Sequence, residues 1–183
     1  LKYTGYLASI LALPPMASRA MADALASAKR QSVIWLSFQE CTGCTESLTR
    51  SFNPTIEDMI FNLISLDYQE TLMAASGFAA EAAMQEARAA NKGKYVLVVD
   101  GSVSTAAGGV YSTNAGRSNL ETLKELAADA AAVLSVGTCA AFGGIPMAAP
   151  NPTGAVPVSD IVTDKPVINI SGCPPIPEAI AGT

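Results

Sequence analysis

From residue 31 onward the chain alternates short apolar runs with longer segments dominated by Ala, Glu, Lys and Arg. The apolar runs fall at residues 33–38, 60–66, 95–99, 132–136 and 167–170. Each is nearly continuous rather than alternating, as in strands covered on both faces. Between them, residues 71–90 and 119–129 carry apolar positions at helical spacing, with Glu81, Glu86 and Arg88 in the first and Glu121, Lys124 and Glu125 in the second facing solvent. Strand followed by helix, repeated, predicts an α/β fold: a parallel sheet of about five strands with helices on both faces.

The first thirty residues break this rhythm. Residues 3–13 form an apolar run too short to span a bilayer, followed by small residues that include Ala26-Ser27-Ala28, an A-x-A-like site. This reads either as the remnant of an export leader or as an N-terminal helical tail. The chain thus divides into residues 1–30 and a folded domain over residues 31–183.

Charge and composition narrow the chemistry. Eleven Lys and Arg stand against sixteen Asp and Glu, a net charge of -5, and no basic run exists to neutralise phosphates, which excludes nucleic acid as a partner. Histidine is absent, so metal binding falls to cysteine and acid–base chemistry to carboxylates. The residues 101–116 and 148–157 are rich in Gly, Ser, Thr, Asn and Pro and read as long ordered loops without phosphate-binding spacing.

The four cysteines sit where such a fold would use them. Cys41 and Cys44 form a C-x-x-C directly after the first apolar run, Cys139 follows the fourth run and Cys173 the fifth. Parallel sheets bind ligands beyond the carboxyl ends of their strands, so three strand ends deliver thiols to one edge. Four thiols there could hold a [4Fe-4S] cluster, bind a structural zinc, pair as disulfides or stay inert. One C-x-x-C joined by two single cysteines is closer to iron–sulfur ligation than to zinc, which is more often held by two knuckles or by added histidine. Glycines beside Cys139 and Cys173 leave backbone N–H groups free to meet sulfur.

Several stretches then become familiar in order along the chain: Trp35-Leu36 leading to Glu40-Cys41-Thr42-Gly43-Cys44-Thr45-Glu46, Ile64-Ser65-Leu66-Asp67-Tyr68, Gly137-Thr138-Cys139-Ala140, Pro150-Asn151-Pro152-Thr153-Gly154-Ala155 and Gly172-Cys173-Pro174-Pro175. From about residue 31 onward the chain resembles the small subunit of [NiFe] uptake hydrogenases. The resemblance implies a flavodoxin-like domain in which Cys41, Cys44, Cys139 and Cys173 bind a proximal [4Fe-4S] cluster. It implies an enzyme only as a heterodimer: the Ni-Fe centre lies on a large-subunit partner, no catalytic centre lies in this chain, and electrons pass through the cluster to a downstream acceptor. Glu40, beside the first ligand, matches a position implicated in proton transfer.

The resemblance also implies periplasmic location through a twin-arginine leader whose arginines are not in this sequence, and association of the complex with a membrane. Gly43 and Ser112 stand where oxygen-tolerant members have extra cysteines, which implies an ordinary, oxygen-sensitive cubane. The family's medial and distal cluster region has no counterpart, so the chain reads as an N-terminal portion or a shortened member. Two alternatives stand beside this reading: a zinc- or disulfide-stabilised interaction domain, and a cluster subunit of a related quinone oxidoreductase, although the latter usually carries two adjacent cysteines at the first site.

Overall fold

A computed structural model describes residues 5–6, 8–9, 14–27 and 30–183. Most of the 3–13 run, and Ala28 of the A-x-A-like site, lie outside the described residues. Helix α1, Pro15–Ser27, precedes the domain. No helix among the described residues is long and apolar enough to cross a membrane.

Five parallel strands form the central sheet: β1 (Gln31–Ser37), β2 (Ile64–Gln69), β3 (Val96–Asp100), β4 (Ala132–Val136) and β5 (Val167–Ile170). Their spatial order is β2-β1-β3-β4-β5, which is the flavodoxin-like order. Strand order reverses between β1 and β3, and the crevice at their carboxyl ends is where such sheets bind ligands. Helices α2 (Gly43–Thr49), α3 (Gly77–Ala90), α4 (Asn119–Asp129), α5 (Gly137–Phe142), α6 (Gly144–Met147) and α7 (Pro177–Ala181) surround the sheet.

Side chains alternate across β1 to feed two cores. Ile34, Leu36 and Phe38 pack with Met84 of α3 and with Leu123 and Leu126 of α4. Val33 and Trp35 point the other way and pack with Leu48 of α2, Met59, Val98 and Ile170. The second face is less completely covered, and an apolar groove of about 300 Å³ runs between Trp35, Val98, Leu134, Met59 and Ile180.

Helix α4 spans the residues expected, because Ser118 caps it by accepting from Glu121 N–H at 3.2 Å. Two boundaries differ. The run at 60–66 begins as a π-helical turn, Met59–Leu63, and the strand is Ile64–Gln69. Thr55 caps the short helical turn Ile56–Asp58 that leads into it by accepting from Asp58 N–H, and pairing to β1 begins only at Gln31↔Ile64. An apolar run without Gly or Pro contains no signal dividing helix from strand. The helix expected from residue 71 begins at Gly77, because Gln69 captures the intervening backbone: its carbonyl accepts from Met73 N–H at 2.9 Å and its side-chain oxygen from Leu72 N–H at 2.7 Å.

Candidate metal centre

All four cysteines line one recess, shared with Glu40, Gly43, Gly101, Thr138, Gly172 and Pro174. Each reaches it from a different local structure. Cys41 follows β1 in irregular chain, Cys44 lies in the first turn of α2, Cys139 lies inside α5 and Cys173 follows β5. The stretch around Cys139 is therefore helical. A positive φ at Gly137 and at Gly143 lets the chain enter and leave so short a helix.

The glycines make room for sulfur. A Cβ at Gly137 would fall closer to Cys44 Sγ than real Cβ atoms come, one at Gly144 would lie 2.7 Å from Cys139 Sγ, and one at Gly43 would lie 3.2 Å from Cys41 Sγ. Cys139 is met by the backbone N–H of Ile145, which lowers its thiol pKa against the larger effect of burial. A sulfur-directed N–H thus comes from the residue after Gly144.

The electrostatics are those of thiols that lack a counter-charge. Burial first, then the carboxylates of Asp100 and Glu40 and the neighbouring Cys139 and Cys41, push the Cys44 thiol up to about 12. The site lacks histidine and no Lys or Arg lines it, so only a bound cationic group would favour four thiolates. The four cysteines are free, which does not favour the disulfide alternative. Among the described residues no set of three Cys, Asp or Glu side chains is grouped tightly enough for a single ion. Four soft donors spread around one recess, with glycines cut away for sulfur, fit a multi-iron group better than one zinc.

Glu40 shares the recess. Its Oε1 accepts from Thr42 Oγ1 at 3.2 Å, while Oε2 is buried without a partner. Burial, then Asp100, raise its pKa to about 7, with the Thr42 hydroxyl opposing. Thr42 itself has φ 67 at the start of α2, an uncommon backbone for a β-branched residue.

Beneath the recess lies a buried polar layer that the sequence did not reveal. Asp100 at the end of β3 is fully buried, and its Oδ2 accepts from Thr45 Oγ1 at 3.3 Å. Thr45 in turn accepts from Gln69 Nε2 at 3.0 Å. Burial raises the Asp100 pKa, and the nearby polar hydrogens of Ser37, Trp35 and Thr45 pull it back. The only sequence signal was a lone acidic residue ending the apolar run 95–99, followed by Gly101.

Comparison with known families resolves the chain's relationships. Residues 41–183 match the model of the NADH ubiquinone oxidoreductase, 20 Kd subunit. The chain belongs to this 20 Kd subunit family. Within reach of it, the chain is 42% identical over 181 residues to the uptake hydrogenase small subunit of Bradyrhizobium diazoefficiens, covering 99% of this chain and 50% of that protein. It is also 42% identical over 183 residues to the hydrogenase-2 small chain of Escherichia coli K12, covering 100% of this chain and 49% of that one. Among solved structures it superposes on the recombinant [NiFeSe] hydrogenase from Desulfovibrio vulgaris Hildenborough with a TM-score of 0.80 and 44% identity, covering 85% of this chain and 58% of that chain. The chain spans about half the length of the curated relatives it matches. Its flavodoxin-like α/β architecture is therefore that of hydrogenase small subunits, and membership of this family implies an iron–sulfur cluster.

Proposed function

We propose that this 20 Kd-family chain is the electron-transfer small subunit of a [NiFe] hydrogenase, with Cys41, Cys44, Cys139 and Cys173 holding a proximal [4Fe-4S] cluster. The observation that carries the reading is the convergence of four free cysteines from three strand ends on one recess cut to sulfur by Gly137 and Gly144. The relatives named hydrogenase small subunits supply the reaction class, H2 to and from two protons and two electrons. When bound, such a cluster stores and passes one electron at a potential set by burial, charge and N–H···S bonds.

The chain's own residues shape that environment. Ile145 N–H faces the Cys139 sulfur, Asp100 lies under Cys44, and Pro174 closes the recess beside Cys173. Glu40, half-buried at the rim with one free oxygen, is the proton relay in this reading, since a carboxyl titrating near neutrality can both take and give a proton.

The nickel–iron centre belongs to a large-subunit partner. Exposed Phe142 and Ile145, close in sequence to Cys139, and exposed Val110 and Tyr111 in the 101–116 loop are apolar surface that such a subunit would cover. A single charge placed at Tyr111 or in the 41–44 turn is expected to weaken heterodimer formation on gel filtration; an unchanged heterodimer would remove these loops from the interface. The leader-like N-terminal residues support export to the periplasm, where the membrane-associated complex would pass electrons to a downstream acceptor.

Anaerobic purification tests the cluster. A brown chain with about four iron and four labile sulfide supports the reading, and replacing Cys44 or Cys139 with Ser should remove the colour. A colourless chain with one zinc would refute electron transfer and restore the structural-zinc alternative.

A further inference from the structure

Cys44 and Cys139 are held by helices of their own, but Cys41 lies in irregular, exposed chain. Two residues earlier, Gln39 is anchored on both its backbone and its side chain. Gln39 N–H donates to Ser102 carbonyl at 3.2 Å, and Ser102 N–H donates back to the Gln39 carbonyl at 3.1 Å. This close approach needs Gly101, whose Cβ would lie 2.8 Å from the Gln39 backbone.

The Gln39 side chain then reaches across 114 residues. Its Nε2 donates to Thr153 Oγ1 at 3.0 Å, and Thr153 Oγ1 donates to Gln39 Oε1 at 3.3 Å. Thr153 is a fixed post. Its carbonyl accepts from Ala106 N–H at 3.0 Å and from Ser104 Oγ at 3.0 Å, while the next carbonyl, of Gly154, accepts from Thr105 N–H at 3.1 Å and Thr105 Oγ1 at 2.7 Å. A Cβ at Gly154 would come within 2.9 Å of Ala106 N, so the two loops are in backbone contact. Both Gln39 and Thr153 are half-buried, which limits replacement of their bonds by water.

We propose that the Gln39–Thr153 pair is a positioning device for Cys41, which makes the cysteine-free 148–157 loop a working part of the metal centre. The proposal rests on the ligand role assigned above. Gln39 and Thr153 touch no sulfur; they act through the 39–41 backbone. Losing the pair frees that backbone on its exposed side while the strand below stays paired.

The test uses the protein purified anaerobically with its partner subunit, with Gln39→Ala, Thr153→Val, Thr153→Ser and the Gln39→Ala/Thr153→Val double variant. The first readout is the iodoacetamide alkylation rate of Cys41 after chelator treatment, taken by peptide mass spectrometry as a ratio to Cys173 of the same recess, so that shielding by the partner subunit cancels. Each single variant should raise that ratio by roughly three- to tenfold, the range one hydrogen bond commands, with the double adding nothing further and Thr153→Ser restoring the wild-type value. The second readout is the electron paramagnetic resonance spectrum of the reduced protein, which should change in Gln39→Ala and Thr153→Val and revert in Thr153→Ser. Unchanged ratios in the single variants, or effects that add in the double, would overturn the clamp. A wild-type protein without iron would instead refute the cluster reading, and the alkylation ratio would still decide the clamp.

Discussion

Replacing Gly137 with Ala tests whether the recess is built around sulfur. Gly137 has φ +88, so any side chain there adopts the left-handed region at a cost of about 1–2 kcal/mol. Its new Cβ would also intrude on Cys44 Sγ, with the Gly172 carbonyl 3.6 Å away on another side. Restoring ordinary van der Waals separation would require the sulfur to retreat by on the order of 1 Å. Gly93→Ala separates the two effects, because Gly93 has φ +73 with nothing within 4 Å of its would-be Cβ. Both variants should lower Tm by roughly 2–8 °C, from that backbone cost and the scaling for a chain this long. Only Gly137→Ala should lose iron, with at least about tenfold weaker retention against a chelator if a displaced donor costs more than 1.4 kcal/mol in affinity. The assay is thermal denaturation alongside iron and sulfide analysis of anaerobically purified protein under chelator challenge. A Gly137→Ala protein with wild-type iron and a Tm equal to that of Gly93→Ala would show that Cys44 does not need the space, and the argument from the glycines would fall.

Other perturbations address separate parts of the fold. Tyr95 is fully buried and its hydroxyl donates to the Leu126 carbonyl; Tyr95→Phe should cost about 0.5–1.5 kcal/mol in denaturant unfolding with an unchanged m-value. Arg88 joins α3 to α4 through Glu125 and Asp129. Burial alone would raise the Glu125 pKa, but hydrogen bonds and charge from Arg117 and Arg88 outweigh it; Asp129 is lowered first by its bond to Arg88 and then by Lys92. Depressed carboxylates bind fewer protons folded than unfolded, so their contribution is present at neutral pH and lost as pH falls below about 4.5. Arg88→Met should therefore flatten the acid limb of a stability–pH curve, and an unchanged limb would refute the network. Glu40→Gln should retain iron and the heterodimer yet slow H2/D+ exchange by at least about tenfold, within the range for losing a general acid–base group; an undiminished rate would end its relay role.

Much of the centre could be read from the residues in order. The C-x-x-C and two single cysteines each follow a run apolar enough to be a doubly covered strand, and parallel sheets bring such ends to one edge. That Glu40 lines the recess follows from its adjacency to Cys41, whereas its relay role came only through the resemblance. The 60–66 boundary was not, because an uninterrupted apolar run satisfies a buried helical turn and a buried strand equally, and pairing at Gln31↔Ile64 decided between them. Asp100 was hidden for another reason: its partner Thr45 is 55 residues away, and a lone carboxyl after a strand is usually solvated.

What the chain's sequence determined by itself was everything carried by local periodicity and residue chemistry: five strand-forming runs, the helices between them, soft donors without histidine, and their order. What only the tertiary structure decided was what stands against what. The sheet order β2-β1-β3-β4-β5, the glycines emptied for the sulfurs of Cys44 and Cys139, Ile145 as the N–H donor and the Gln39–Thr153 pair all depend on contacts between distant segments. The energy of such a contact depends on backbone approach and exclusion of water, which no pattern along one strand or helix encodes.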